Sequence, residues 1–150
     1  PLGVRTFAAN SAVGEDVFWS RLLMPHPGIG NCPPSQRLPT WTGELGAFGG
    51  ECFSDASASH PRCRWRRRVG WAVVSSTGGE TLSGPLVYPL QTVLAGDLHA
   101  ATQFLRHAVA GSRLGYDAAS IGQGILRGWK WFCAANHHYA DLWREFWGAY

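Results

Sequence analysis

Phe53-Ser54-Asp55-Ala56-Ser57 sets a carboxylate in the middle of a short strand-like run flanked by small residues. Aspartate is a poor strand former, so it either closes a turn by bonding its own backbone or is present for its charge. Alone the motif is weak. Two later acids, Asp97 and Asp117, give it weight, because the elements between them fold back towards this run.

Residues 51–57 read as a first strand and residues 60–68 as a polar connection. Residues 69–76 read as a second strand. Val69, Trp71 and Val73 alternate there with Gly70, Ala72 and Val74, so both faces are expected to be buried. Thr77-Gly78-Gly79-Glu80 is a hairpin turn signal, and residues 81–88 return as a third strand. Pro85 marks that strand as an edge, since proline cannot donate to a ladder. Then the period changes. Leu94, Leu98, Ala101, Leu105 and Ala108 recur at helical spacing, with Thr92 as N-cap and Gly111 as C-cap. Residues 113–116 form a fourth strand ending at Asp117. Returning through a helix, it lies parallel to the first. A second helix covers residues 118–126 and stops near Gly128; a last one begins around Asn136 and holds Leu142, Trp143, Phe146 and Trp147. The order β-β-β-α-β-α-α predicts an α/β protein with a mixed sheet: an antiparallel three-strand meander, then a parallel strand, with helices packed on the sheet.

Upstream, residues 15–24 suggest a short helix with Val17, Phe18, Leu22 and Met24 on its apolar side. Residues 25–46 are rich in proline and glycine and read as an extended linker. The expected division is therefore an N-terminal arm over 1–46 and one domain over 47–150.

Hydrophobic residues make up 45% and charged residues 15% of the 150, a globular composition that excludes a disordered chain. The net charge is only +3, yet Arg62, Arg64, Arg66, Arg67 and Arg68 place five of the 13 Lys and Arg within seven positions. Such a patch attracts phosphate, and Arg66, Arg67 and Arg68 are candidate nucleic-acid contacts beside the first strand. Cys32, Cys52, Cys63 and Cys133 lack the Cys-x-x-Cys spacing of a zinc knuckle or redox site. No secretory leader and no run of about 18 apolar residues is present, so the expectation is an intracellular protein, in nucleus or cytoplasm, with reduced cysteines and no membrane partner.

Neighbouring parallel strands set Asp55 and Asp117 side by side at the carboxyl edge of the sheet, where open α/β sheets place their chemistry. Asp97, in the first turns of the intervening helix, faces the same edge. Three gathered carboxylates repel and raise one another's pKa, and a hard divalent cation relieves this. Two such ions about 4 Å apart serve phosphodiester hydrolysis.

Residues 51–147 resemble a type 1 ribonuclease H domain of the kind associated with reverse transcriptases. Phe53-Ser54-Asp55-Ala56-Ser57 resembles the family's "T-D-G-S" strand, and Val69-Gly70-Trp71-Ala72-Val73-Val74 its second strand. Gln91-Thr92-Val93 with Ala95-Gly96-Asp97-Leu98-His99-Ala100-Ala101 resembles "Q-T … A-E-L-x-A". Tyr116-Asp117-Ala118-Ala119-Ser120-Ile121-Gly122-Gln123-Gly124-Ile125 resembles "T-D-S-x-x-V-x-x-G-I", and Asn136 to Phe146 the "N-x-D-L-W" helix. The resemblance implies cleavage of the RNA strand of RNA–DNA hybrids within a retroelement-type polyprotein. It also implies that Mg²⁺ or Mn²⁺ is bound by the catalytic Asp55, Asp97 and Asp117. Three departures stand out. Asp97 replaces a glutamate, Ala56 replaces a glycine, and the family's further strand, mobile histidine and fourth carboxylate would follow Tyr150. The domain is thus expected to be incomplete at its C-terminus, and a catalytically impaired module that binds nucleic acid or a partner is the alternative. Asp141 is read as a helix-start residue, His137 and His138 as a loop pair, and Trp129, Trp131, Trp143 and Trp147 as core.

Overall fold

The computed structural model describes residues 38–43, 46–62, 66–134 and 137–150. The helix expected over 15–24, most of the linker, Cys32, Cys63 and Asn136 lie outside them. Among the described residues five strands form one sheet: β1 Thr40–Thr42, β2 Glu51–Ser59, β3 Arg68–Ser75, β4 Thr81–Pro85 and β5 Arg113–Tyr116. Their spatial order is β1-β4-β3-β2-β5. The first four pair antiparallel, and β5 lies parallel to β2. The helices are α1 Val93–His107, α2 Ala119–Arg127, α3 Trp129–Phe132 and α4 Ala140–Ala149. This is the mixed α/β sheet that the sequence predicts.

Some elements differ from expectation. The third strand of the meander is not the edge. β1, inside the stretch read as linker, pairs with it at Thr40↔Ser83, Trp41↔Leu82 and Thr42↔Thr81. Three residues between Pro39 and Gly43 are too few to show a strand period, and Trp41 anchors them by packing on Phe48 and His107 at centroid distances of 5.0 and 5.1 Å. Pro85 is tolerated because it ends β4 beyond the last residue paired with β1. The second strand buries one face, not two: Val69, Trp71 and Val73 are inside, Gly70 and Ala72 half-exposed, Val74 exposed. The described helices cover that one face of the sheet, and β2 obeys the same parity, with Cys52, Ser54 and Ala56 inward and Phe53, Asp55 and Ser57 outward.

α1 is the helix on which the rest packs. Thr92 caps it as predicted, its Oγ1 accepting from Ala95 N at 3.2 Å. Just before it, the Gln91 amide accepts from Val69 N at 2.9 Å and donates to Leu86 O at 3.0 Å and Tyr88 O at 2.6 Å. One side chain thereby ties the end of β4 and the start of β3 to the helix entrance. α1 lies between the sheet and α4, so its buried surface is wider than the predicted stripe and takes in Ala95, Leu98, Ala100, Thr102 and Phe104. It ends at His107, before the expected Gly111. The 46–50 segment captures the chain there: Phe48 N donates to His107 O and Val109 N to Phe48 O, both at 2.9 Å. Gly111, at φ +86°, instead shapes the turn into β5.

α2 stops at Gly128 as expected. The last helix starts at Ala140, after the short α3. Trp143 is core, lying on Gly124 where any Cβ would run into its ring, and Trp147 is half-buried. Trp129 and Trp131 depart from expectation, each 60% exposed. The four-residue α3 is too short to bury either ring, and the Arg127 guanidinium stands 5.6 Å from the centre of the Trp131 ring.

Candidate active site

β5 pairs with β2 from Glu51↔Arg113 to Ser54↔Tyr116. The offset is 113 − 51 = 62, and 117 − 55 = 62, so Asp117 leaves β5 at the level of Asp55. Because β5 stops there, β2 has no strand neighbour on that side beyond Ser54. The Ala56 N–H is taken instead by a carboxylate. It donates to Asp55 Oδ1 at 2.8 Å, and the same N–H lowers the pKa of Asp97. Two acids from separate elements thus feel one donor, and one of them accepts its hydrogen bond.

Asp97 is only 7% exposed. Burial first, then the charges of Asp117 and Asp55, push its pKa up from the ordinary 3.8 to about 6, and the Ala56 N–H works the other way. Its Oδ1 is buried without a hydrogen-bond partner, as is Ser54 Oγ on the helix-facing side of β2. A buried, unpartnered carboxylate oxygen repelled by two neighbours is what a hard cation would relieve. Among the described residues, however, no three His, Cys, Asp or Glu side chains already stand as a metal cage. Parity explains this: Asp55 turns to the open face of the sheet, while Asp97 enters from the helix side. The charges of Asp55 and Asp117 reach Asp97 without the three acids closing on a point. The donors are all carboxylate oxygens, the hard ligand class that suits a divalent cation.

The hairpin arginines lie further along β2. Register sets Arg68 opposite Ser59, four residues or about 13 Å from Asp55. Arg68 and Asp55 line one open hollow of about 610 Å³ together with Ser57, Gly70 and Ser83. Arg67 and Arg68 also line a second, of about 530 Å³, with Gln91, Thr92, His138 and Tyr139. Arg67 donates to Pro61 O, which holds the hairpin together, and Arg66 is exposed at its tip.

Other candidates stand apart from the acids. Asp141 is exposed in the first turn of α4 and pairs with Arg144 at 2.7 Å, the helix-start role expected of it. His137 packs on Phe132, and its Nδ1 accepts from Tyr139 N at 3.3 Å; His138 is exposed. Cys52 and Cys133 are free thiols, and burial raises the pKa of both. The sequence did not point to the Ala56 N–H, to Ser54, or to the Thr92 Oγ1–Tyr139 OH bond of 3.1 Å that ties the α4 entrance to the α1 cap. The first is a backbone group and the last joins residues 47 apart. Gly96 was legible only as a glycine beside an acid in a helix.

No protein-family model matches this chain, and no curated protein matches it. A solved structure does: that of the foamy viral protease-reverse transcriptase in complex with RNA/DNA hybrid, with a TM-score of 0.53 and 12% identity. The alignment covers 94% of this chain and 22% of that one, so this chain spans about a fifth of its neighbour's length. The likeness is one of fold. Among the described residues no helix is long and apolar enough to cross a membrane.

Proposed function

We propose that this domain is a metal-dependent endonuclease that cleaves the RNA strand of RNA–DNA hybrids, working as part of a larger retroelement-type polyprotein inside the cell. The observation that carries the reading is the buried, unpartnered carboxylate of Asp97 lying in the field of Asp55 and Asp117, with Asp117 leaving the neighbouring strand at the level of Asp55. The five motifs in ribonuclease H order, and a fold neighbour whose structure is with an RNA/DNA hybrid, support it.

Asp55, Asp97 and Asp117 would hold Mg²⁺ or Mn²⁺. The bound cation would supply the positive charge that a phosphodiester needs as negative charge builds in its transition state. The Ala56 N–H holds the Asp55 carboxylate before substrate arrives, which lowers the reorganisation needed on binding. Arg66, Arg67 and Arg68 would grip phosphates along the hybrid and set which bond reaches the acids.

The test is a labelled RNA–DNA hybrid incubated with the protein and Mg²⁺ or Mn²⁺, beside RNA and DNA duplex controls. Cleavage of the RNA strand, lost on chelation and reduced by at least about 10²-fold in Asp55→Asn with the fold retained, is the expected result. A second reading has its own observation: the acids are not preclosed into a cage. If the protein binds the hybrid without cutting it, the domain is a non-cleaving nucleic-acid-binding module of the same fold.

A further inference from the structure

We infer that Gly96 is a positioning residue: its missing side chain lets α1 sit close enough on β2 to bring the short arm of Asp97 down beside Asp55. The inference rests on the cation reading above. Gly96 lies inside a helix, where glycine is the least favoured residue after proline, and its φ is not positive, so the backbone gives it no reason to be there. Packing does. A Cβ at position 96 would stand 2.6 Å from the Cβ of Ala56 and 2.6 Å from Cγ1 of Val69, where ordinary contact begins at 3.4 Å. Neither neighbour can step aside. The Ala56 Cβ is fixed to the strand backbone and Val69 is β-branched, and the two are only 8% and 2% exposed.

The same contact lies one residue from each carboxylate that matters. Ala56 follows Asp55 and supplies the N–H that Asp55 accepts; Gly96 precedes Asp97. Aspartate has a single methylene, so the depth at which the helix is seated decides where its oxygens lie. A Cβ at 96 would force the helix outward by about 1 Å, more than the width of the hydrogen-bond distance range. The Asp97 carboxylate, with its unpartnered Oδ1, would then draw away from Asp55.

The experiment compares wild type, Gly96→Ala, Asp97→Glu and the double variant by Mn²⁺ affinity, from water-proton relaxation or calorimetry, with melting temperature measured alongside. Gly96→Ala is expected to weaken Mn²⁺ by about tenfold, and Asp97→Glu to weaken it in the wild-type background by overshooting. In the Gly96→Ala background the longer glutamate arm should recover most of the loss, a coupling that a merely structural glycine would not give. Gly96→Ala and the double variant are expected to share a lowered melting temperature while differing in affinity. Equal Mn²⁺ affinity in wild type and Gly96→Ala overturns the inference, as does a glutamate that acts alike in both backgrounds. If Gly96→Ala does not fold, Asp97→Glu alone decides: unchanged or tighter Mn²⁺ binding overturns it. Wild type that takes up no Mn²⁺ overturns the cation reading itself, and this inference with it.

Discussion

The two faces of β2 follow opposite rules. Inward, Cys52, Ser54 and Ala56 are closed from solvent under the helices; outward, Phe53, Asp55 and Ser57 are exposed, and Asp55 and Ser57 line an open hollow. The period of the strand alone makes the division. The inner face supplies stability, and the outer face is free to carry charge. Asp97 breaks the rule, since it is an acid on the closed side. The contrast teaches that the site is built at the boundary between the faces, where β5 ends and a backbone N–H becomes available to acids from either side.

The largest effect should come from the inner face. Trp71 is 3% exposed, and its Nε1 donates to Pro85 O at 3.3 Å. Trp71→Ala should cost about 3–5 kcal/mol by urea denaturation. Phe53→Ala, on the other face at 51% exposure, should cost less than about 1 kcal/mol. Equal costs would break the contrast.

Asp97 comes next, with the sign reversed. Its folded pKa is raised, so the protonated form favours the fold. Stability is gained as pH falls from about 6 towards 3.8, and the ionised acid opposes folding above that window. Asp97→Asn should therefore stabilise the domain at pH 7.5 by on the order of 1–2 kcal/mol, after allowance for screening at the rim of the site, and make no difference near pH 4. Millimolar Mg²⁺ should raise the melting temperature of wild type and leave that of the variant where it was. A variant less stable than wild type at pH 7.5 without metal would refute this account.

His99 titrates in the opposite sense. Burial lowers its pKa, with Arg106 helping and Glu145 opposing, and its ring meets Trp71 edge-on at 4.9 Å. The unfolded chain takes up the proton first, so stability present above about pH 6.5 is lost as pH falls. His99→Phe should flatten the decline in melting temperature between pH 7 and 5. The smallest effect belongs to the exposed Arg106–Glu145 pair at 3.3 Å: Glu145→Gln should change stability by about 0.5 kcal/mol or less, and by nothing measurable in 1 M salt.

Much of this was legible in the residues. Alternation in residues 69–73, the glycine pair at 78–79 and the change to helical spacing after Thr92 announce the meander and the crossover helix, and the crossover fixes the parallel strand that brings Asp117 to Asp55. What could not be read depends on contacts distant in sequence. β1 is a strand only because β4 and Trp41 hold it; α1 ends early because Phe48 intercepts its last carbonyl; Val74 is exposed because the described helices lie on one side. The Ala56–Gly96 approach joins residues forty apart, and no local pattern signals a missing Cβ with a purpose.

The Gln91 amide has a last implication. Its three bonds make it a keystone for the bend between sheet and helix, so the azimuth of Asp97 is decided six residues upstream by a neutral side chain. A sequence signature that begins with glutamine need not mark a reacting group at that position: here it records how the scaffold is trued before the acids are hung on it.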